Sequence, residues 1–344
     1  MKNPIKSYRN IFVLLTLALL LTIFINISLG SVSIPLKQIF LSFYTGEVEK
    51  ESWKSIVLNY RLPKAITAII VGSGLSISGL LMQTLFRNPL AGPFVLGISS
   101  GASLGVAILI LGASFLGVTI TTYAFTNWGM AIAASLGAFL VLFAVMMAAT
   151  KVRNTMSILI IGLMFGSLTA AVISVLAYFS SANQLQQYLF WSFGSLGNLS
   201  WTEISVLLIT FLVGVLLVTL IIKPLNSLLL GENYAKSMGV NVKRTRNLTL
   251  ISTSLLTGVI TAFSGPIAFI GLAVPHLTKL MFHTSNHKIL LPAVAISGAI
   301  IMLICDSIAQ LPNSEYTLPI NAITSLFGAP IIIWLLVRKR KINY

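Results

Sequence analysis

The sequence is made almost entirely of apolar runs, most of them about 20 residues long, which is the length a helix needs to cross a bilayer. Hydropathy marks these runs at about 11–29, 62–82, 92–118, 128–149, 156–180, 202–222, 247–264, 268–282, 289–309 and 317–337. Within lipid, only helices and closed barrels satisfy their own backbone hydrogen bonds. The pattern therefore predicts an all-α polytopic membrane protein with about ten transmembrane helices.

Composition supports lipid as the main solvent. Hydrophobic residues make up 56% of the chain and charged residues 8%, whereas an average soluble domain has about 25% charged residues. The first run follows Lys2, Lys6 and Arg9 and precedes no A-x-A cleavage site, so we expect a retained first helix rather than a signal peptide. No linker composition interrupts the chain, and residues 1–344 are expected to form a single transmembrane domain.

The positive charges predict the orientation. If the N-terminus is cytoplasmic, 17 of the 22 Lys and Arg residues fall inside, as the positive-inside rule requires. An even number of spans then places both termini in the cytoplasm. The net charge of +15 is spread in small clusters between apolar runs, so no nucleic-acid partner is predicted.

Two polar segments exceed ordinary turns. The outer segment, residues 31–60, carries Glu47, Glu49 and Glu51 and is expected to form a small surface element. The inner segment, residues 223–246, is too polar to span the membrane. Its good helix formers between Gly231 and Gly239 predict short cytoplasmic helices between the sixth and seventh spans. A basic loop held by anionic lipid is the alternative for this segment.

The acidic residues argue against a carrier coupled to protons or sodium. None of them falls near the middle of a predicted span, where such carriers keep their coupling groups: Glu47, Glu49, Glu51, Glu203, Glu232, Asp306 and Glu315. The chain contains no Gly-Lys dipeptide and therefore no GxxxxGK[ST] phosphate-binding loop. Any ATPase that drives it must be a separate chain.

No residues suggest catalysis or a cofactor. His276, His283 and His287 cluster near the eighth span, but no carboxylate or thiol lies close in sequence to complete a metal site. Polar or interfacial histidines are the expectation, and a metal site is the alternative. The lone cysteine, Cys305, is expected to be a packing residue. We therefore predict no catalytic residue, no metal, no cofactor and no enzyme activity.

Small residues recur at helical spacing in two spans. Gly97, Gly101 and Gly105 are expected on one helix face, and Gly162 and Gly166 on another. Close helix packing is the default interpretation, and a pore-lining role is the alternative.

Residues 61–106 read RLPKAITAIIVGSGLSISGLLMQTLFRNPLAGPFVLGISSGASLGV. This segment resembles the FecCD-type permeases of ABC importers for iron–siderophore, haem and vitamin B12. That family has an RLPR start, a Q-x-x-x-x-NPLA stretch and an LG-x-x-x-GA helix. The matching blocks continue in order along the chain at residues 191–196 (WSFGSL), 231–240 (GENYAKSMGV), 271–276 (GLAVPH), 318–320 (LPI) and 328–330 (GAP).

The resemblance implies a permease that pairs with a second copy of itself or with a sister permease. Its other partners would be a cytoplasmic ATP-binding subunit and an extracytoplasmic substrate-binding protein. Arg61 and Lys64 would then meet acidic residues of the binding protein, although lipid-headgroup anchoring is the alternative. Lys64 stands where the family has Arg, and Gln310 stands where the family often has another Arg.

The resemblance also assigns an ATPase coupling loop and a translocation pathway. In the coupling loop, Ala235 and Met238 would face the same way; its residues would be Gly231, Glu232, Ala235, Met238 and Gly239. The fifth span would line the pathway with the small or weakly polar residues Gly162, Gly166, Ser167 and Thr169.

The expected function is therefore ATP-driven import of an iron–siderophore chelate through a bacterial inner (plasma) membrane, with haem or cobalamin as alternative substrates. An autonomous secondary carrier or channel is the competing hypothesis from another class.

Overall fold

The computed structural model describes residues 4–44, 48–113, 126–152, 155–310 and 316–339. Part of the third predicted span and some of the charged residues used above lie outside the described residues: Lys2, Glu47, Arg153, Glu315, Arg340 and Lys341.

Every regular element in these described ranges is helical. The α-helices are α1 (Pro4–Ser28), α2 (Leu36–Tyr44), α3 (Glu51–Ile56), α4 (Leu62–Leu85), α5 (Ile98–Ile110), α6 (Asn127–Lys151), α7 (Thr155–Tyr178), α8 (Ala182–Ser192), α9 (Trp201–Leu220), α10 (Ile222–Leu228), α11 (Glu232–Ser237), α12 (Val242–Ser264), α13 (Ile270–Phe282), α14 (His287–Ala309) and α15 (Ile320–Lys339). A π-helical turn, Val57–Arg61, joins α3 to α4, and a 3₁₀ turn, Pro93–Leu96, precedes α5.

Seven helices among the described residues are long and apolar enough to cross a membrane. Three shorter apolar helices, Ile98–Ile110, Ile270–Phe282 and Ile320–Trp334, coincide with the three remaining predicted segments. The all-helical membrane fold is thus confirmed. The count of ten spans and the cytoplasmic position of both termini stay predictions.

Two spans differ from their predicted form. The second is longer than its apolar run, because the helix continues without a break from Glu51 to Leu85 through the π-helical turn. The third is interrupted at Gly97, whose φ of 71° lies in the left-handed region. Glycine adopts this conformation without the steric penalty of a side chain. Gly97 therefore makes the turn into α5, and the expectation that it continues one helix face with Gly101 and Gly105 is wrong.

Close helix packing at the glycines is confirmed. A Cβ at Gly101 would lie 2.6 Å from the carbonyl oxygen of Gly137 on α6, and Gly105 packs against the Ala133 carbonyl of the same helix. On α4, Gly72 packs in the same way against Gly298 of α14. Larger side chains at these positions would push the helices apart.

Burial separates the central helices from the peripheral ones. Helix α4 is buried on nearly all sides, as expected for a helix that is apolar around its whole circumference. By contrast, α1, α6, α7 and α9 expose rows of large apolar side chains, as Leu14, Leu17 and Leu21 do on α1. Such continuous apolar exposure fits a lipid environment.

Both predicted surface segments contain short helices. Helices α2 and α3 lie in the outer segment, and α10 and α11 lie in the inner segment. Helix α12 begins beside α11 and its 23 residues extend about 34 Å. The α12–α13 connection therefore lies at the end of the bundle opposite the α10–α11 segment.

Candidate functional site

Arg61 closes the C-terminal end of α1. Its Nη1 atom donates to the carbonyl oxygens of Ile27 at 2.9 Å and Ser28 at 3.0 Å, and its Nη2 atom donates to the Val32 carbonyl. The side chain is 7% exposed. The last carbonyls of a helix lack partners within the helix, and a cation is favourable there. Arg61 thus ties α4 to the end of α1.

Lys64 belongs to a buried polar cluster centred on Asp306. The Lys64 Nζ atom lies 3.1 Å from Asp306 Oδ1, and the two side chains are 19% and 3% exposed. Asn26 Nδ2 and Gln310 Nε2 each donate to Asp306 Oδ2 at 2.8 Å. These four residues, the Asp306 cluster, connect α1, α4 and α14 at their outer ends.

The two cations predicted to contact a binding protein line the same cleft. The cleft has a volume of about 370 Å³, and Tyr60, Gly197 and Gln310 also line it. The charged groups of both Arg61 and Lys64 are engaged within the chain, so their docking role stays a prediction. The sequence analysis missed Asn26 and Asp306. The sequence did contain a signal for this cluster, because the carboxylate of Asp306 lies only one helical turn from the end of an apolar run.

The inner loop is shaped by two glycines in conformations that other residues rarely adopt. Gly231 has a φ of 114° before α11, and Gly239 has a φ of 80° after it, as the predicted helix stops require. Arg87, in the α4–α5 connection, donates through Nη2 to the Leu229 carbonyl at 3.3 Å. The α10–α11 segment is therefore held against the connection that follows α4.

The predicted common face of Ala235 and Met238 is wrong. Ala235 is 0% exposed and lies on the buried side of α11, whereas Met238 is 58% exposed. Met238 caps the C-terminal end of α11, and its side chain lies on the exposed side of the segment, away from the buried side that holds Ala235. Two other large apolar residues of this segment, Leu230 and Tyr234, are exposed as well. We call Leu230, Tyr234 and Met238 the inner apolar face.

Three of the four candidate pathway residues lie on the side of α7 that packs against α5 and its preceding turn, and the fourth is exposed. Gly162 packs against the backbone of Val95 and Leu96, and Gly166 faces Ser100 on α5. Thr169 is buried on the same side of α7, and its hydroxyl donates to the Gly166 carbonyl at 2.8 Å. Ser167 alone lies on the exposed side, where its hydroxyl donates to the Leu163 carbonyl.

His287 connects three helices near the inner end of the bundle. Its Nε2 atom lies 2.8 Å from the Thr84 hydroxyl, and its Nδ1 atom lies 2.7 Å from Asn226 Oδ1. Both ring nitrogens are therefore engaged in hydrogen bonds. Among the described residues, no group of three or more His, Cys, Asp or Glu side chains is placed to hold a metal ion.

Comparison with known proteins identifies relatives over almost the whole chain. The vitamin B12 import system permease protein BtuC of Klebsiella pneumoniae is 36% identical over 327 residues, which are 95% of this chain and 93% of that protein. The protein of the same name from Salmonella typhi is 35% identical over 286 residues, covering 83% of this chain and 84% of its own length.

Solved structures agree with these relatives. An inward-facing conformation of a metal-chelate type ABC transporter is similar with a TM-score of 0.81 and 29% identity, covering 96% of this chain and 99% of that chain. PsaBC from Streptococcus pneumoniae in complex with Fab has a TM-score of 0.50 and 18% identity, covers 79% of this chain and 89% of that chain, and supports the fold alone.

The profile of the FecCD transport family matches residues 18–338. With several apolar helices of membrane-spanning length, the chain is a multi-pass protein of the bacterial inner membrane and an ABC-type permease. It belongs to the FecCD transport family.

Proposed function

We propose that this chain is the transmembrane permease subunit of a binding-protein-dependent ABC importer for a metal chelate. Residues 1–344 act as a single permease domain with ten spans and cytoplasmic termini, and the domain pairs with a second copy of itself. A cytoplasmic ATP-binding subunit supplies the energy, and an extracytoplasmic binding protein delivers the substrate.

The observation that carries this proposal is the inner apolar face. Leu230, Tyr234 and Met238 are exposed on and beside the short helix α11, in a segment too polar to enter the bilayer. Large apolar side chains exposed outside the membrane mark a protein interface. The family resemblance makes the ATP-binding subunit the partner, and these side chains are the apolar anchors that such an interface needs.

The remaining coupling residues hold this face in place. Gly231 and Gly239 provide the two positive-φ conformations that bound the helix, Glu232 begins α11, and Ala235 is the buried residue of this helix. A rigid element transmits a displacement better than a flexible loop. Motion of the ATP-binding subunit would reach α4 through Arg87, which contacts the Leu229 carbonyl.

The outer cleft is the proposed docking surface for the binding protein. Arg61 contributes by holding the end of α1, and Lys64 contributes its charge. An ammonium group has three donors, and Asp306 accepts from Lys64. Because Lys64 is partly exposed, a carboxylate of the binding protein can approach its remaining donors.

Helix α7 is proposed to line the pathway on its exposed side. The buried side, with Gly162, Gly166 and Thr169, fixes α7 against α5, while Ser167 faces outward. The hydroxyl of Ser167 is satisfied by its own helix, so this wall offers a passing chelate few strong hydrogen bonds.

The names of the relatives support the proposed substrate class. Two of them are named for vitamin B12, and the similar structure is named for metal chelates. Cobalamin, haem and ferric siderophores are all metal chelates, so the class includes the iron–siderophore substrate expected from the sequence.

Reconstitution tests the function. Liposomes containing this chain and its ATP-binding subunit would receive cyanocobalamin, haem or a ferric siderophore from matching binding proteins outside. We expect uptake of one chelate that requires both ATP and the binding protein. Uptake that proceeds without ATP would overturn the proposal in favour of an autonomous carrier.

A further inference from the structure

A second cavity lies at the end of the bundle opposite the α10–α11 segment. It has a volume of about 310 Å³ and is bordered by α8, the start of α6 and the end of α12. This position is near the outer end of α7, where a substrate would enter the proposed pathway. The sequence motifs assigned no role to it.

The lining of this cavity combines aromatic rings with amides. Phe190, Trp191 and Phe263 contribute the rings, while Asn127 and Gln187 contribute exposed amide groups at the rim. None of the described residues that line it is charged. Mostly apolar walls with a few polar groups are typical of small-molecule sites.

This lining discriminates by charge. Amides donate and accept hydrogen bonds, and aromatic rings provide flat apolar contact area. Neither compensates a full negative charge, and removing an uncompensated charge from water is costly. An uncharged group that carries carboxamide oxygens fits the cavity, whereas a catecholate or carboxylate does not.

We propose that this cavity binds an uncharged, amide-bearing limb of the chelate as it leaves the binding protein. The proposal rests on the proposed function and narrows its substrate class to neutral chelates. At about 310 Å³ the cavity holds one limb rather than a whole chelate. Three hydroxamate anions balance one ferric ion, so a ferric trihydroxamate is neutral, whereas a ferric tricatecholate keeps three negative charges.

Site-directed thiol labelling tests occupancy independently of transport. The native cysteine, Cys305, is buried, so a maleimide would report on an introduced thiol. In lipid nanodiscs, we expect millimolar cyanocobalamin or ferric trihydroxamate to slow labelling of Gln187→Cys several-fold. Ferric tricatecholate is expected to leave the rate unchanged. Gln186→Cys is the matched control, because Gln186 is exposed on the same helix but does not line the cavity.

Four labelling outcomes would overturn the inference, three of them seen on addition of chelate. These are equal protection by neutral and anionic chelates, protection by neither, and equal protection of the Gln186→Cys control. A thiol at position 187 that is already blocked without any chelate would indicate that the partner subunit fills the cavity, which also overturns it.

Uptake by Gln187→Lys provides a second, functional test. The added cation is expected to reduce uptake of the neutral chelate about tenfold, which corresponds to about 1.4 kcal/mol, and to increase uptake of the tricatecholate. If the unmodified importer takes up only the tricatecholate with ATP, the inference fails and the proposed function stands. If no chelate enters with ATP and the binding protein, the proposed function itself fails.

Discussion

Replacing Lys64 tests whether the Asp306 cluster is held together by charge. In the structure, Asp306 is 3% exposed and accepts from Lys64, Asn26 and Gln310. Lys64→Met keeps much of the apolar stem of the side chain and removes its ammonium group. The carboxylate of Asp306 then stays buried with two neutral amide donors and no cation.

The expected change in the free energy of unfolding depends on the hydrogen-bond donors that remain around Asp306. Removing one partner of a buried ion pair costs about 3–5 kcal/mol. Two amide donors remain, and Lys64 is 19% exposed, so we expect a loss of about 2 kcal/mol in the free energy of unfolding, below that range. Adding Asp306→Asn removes the uncompensated charge. In the Lys64→Met background this second substitution should therefore recover about 1 kcal/mol, whereas alone it should destabilise the protein.

The assay is a double-mutant cycle on unfolding in mixed micelles, followed by tryptophan fluorescence. Lys37→Met is the control, because Lys37 is an exposed cation on α2 at the same end of the bundle. If Asp306→Asn destabilises both backgrounds equally, the pair contributes no coupling energy and the electrostatic argument is refuted. The double variant also tests docking, because it lacks the cation, and its affinity for the binding protein should fall.

Three further predictions concern the inner face, the helix packing and the inner hydrogen bonds. Met238→Asp should abolish substrate-stimulated ATPase activity without changing the thermal midpoint, and normal stimulation would remove the inner apolar face from the mechanism. Gly105→Leu should lower the thermal midpoint and the folded yield, because its side chain meets the Ala133 carbonyl of α6; an unchanged midpoint would show that α5 and α6 can separate freely. His287→Phe should destabilise the protein by about 2 kcal/mol, since the hydroxyl of Thr84 loses a buried partner, and chemical denaturation that detects no loss would contradict this.

The membrane fold was predictable because its main determinant is local. Hydropathy over a window of about 20 residues places all ten predicted segments on apolar helices. The glycine stops around α11 were equally local, since Gly231 and Gly239 have φ values of 114° and 80°. The spacing of Gly97, Gly101 and Gly105 predicted one continuous helix face, and this prediction failed at Gly97. A glycine every four residues is equally compatible with a turn at the first glycine followed by a helix.

The roles of the outer cations were not predictable, because they depend on residues distant in sequence. Asn26 and Asp306 are 280 positions apart, and they meet at the outer ends of α1 and α14. The family motif identified Lys64 as a surface cation but not its internal partner. Likewise, the burial of Ala235 depends on how α11 packs against the neighbouring helices, so its spacing from Met238 could not show that Met238 alone is exposed.

Helix α4 shows how this permease combines rigidity with a lipid environment. At its outer end Lys64 joins the Asp306 cluster, and at its inner end Thr84 contacts His287. Between these ends, Gly72 brings its backbone against α14. Gly72 lies inside the bundle, and the polar groups at both ends are paired within the chain, as polar groups at membrane depth require. We expect a helix fixed at both ends and along its length to move as one body with α14. A displacement received through Arg87, two residues beyond α4, would then reach the outer cleft.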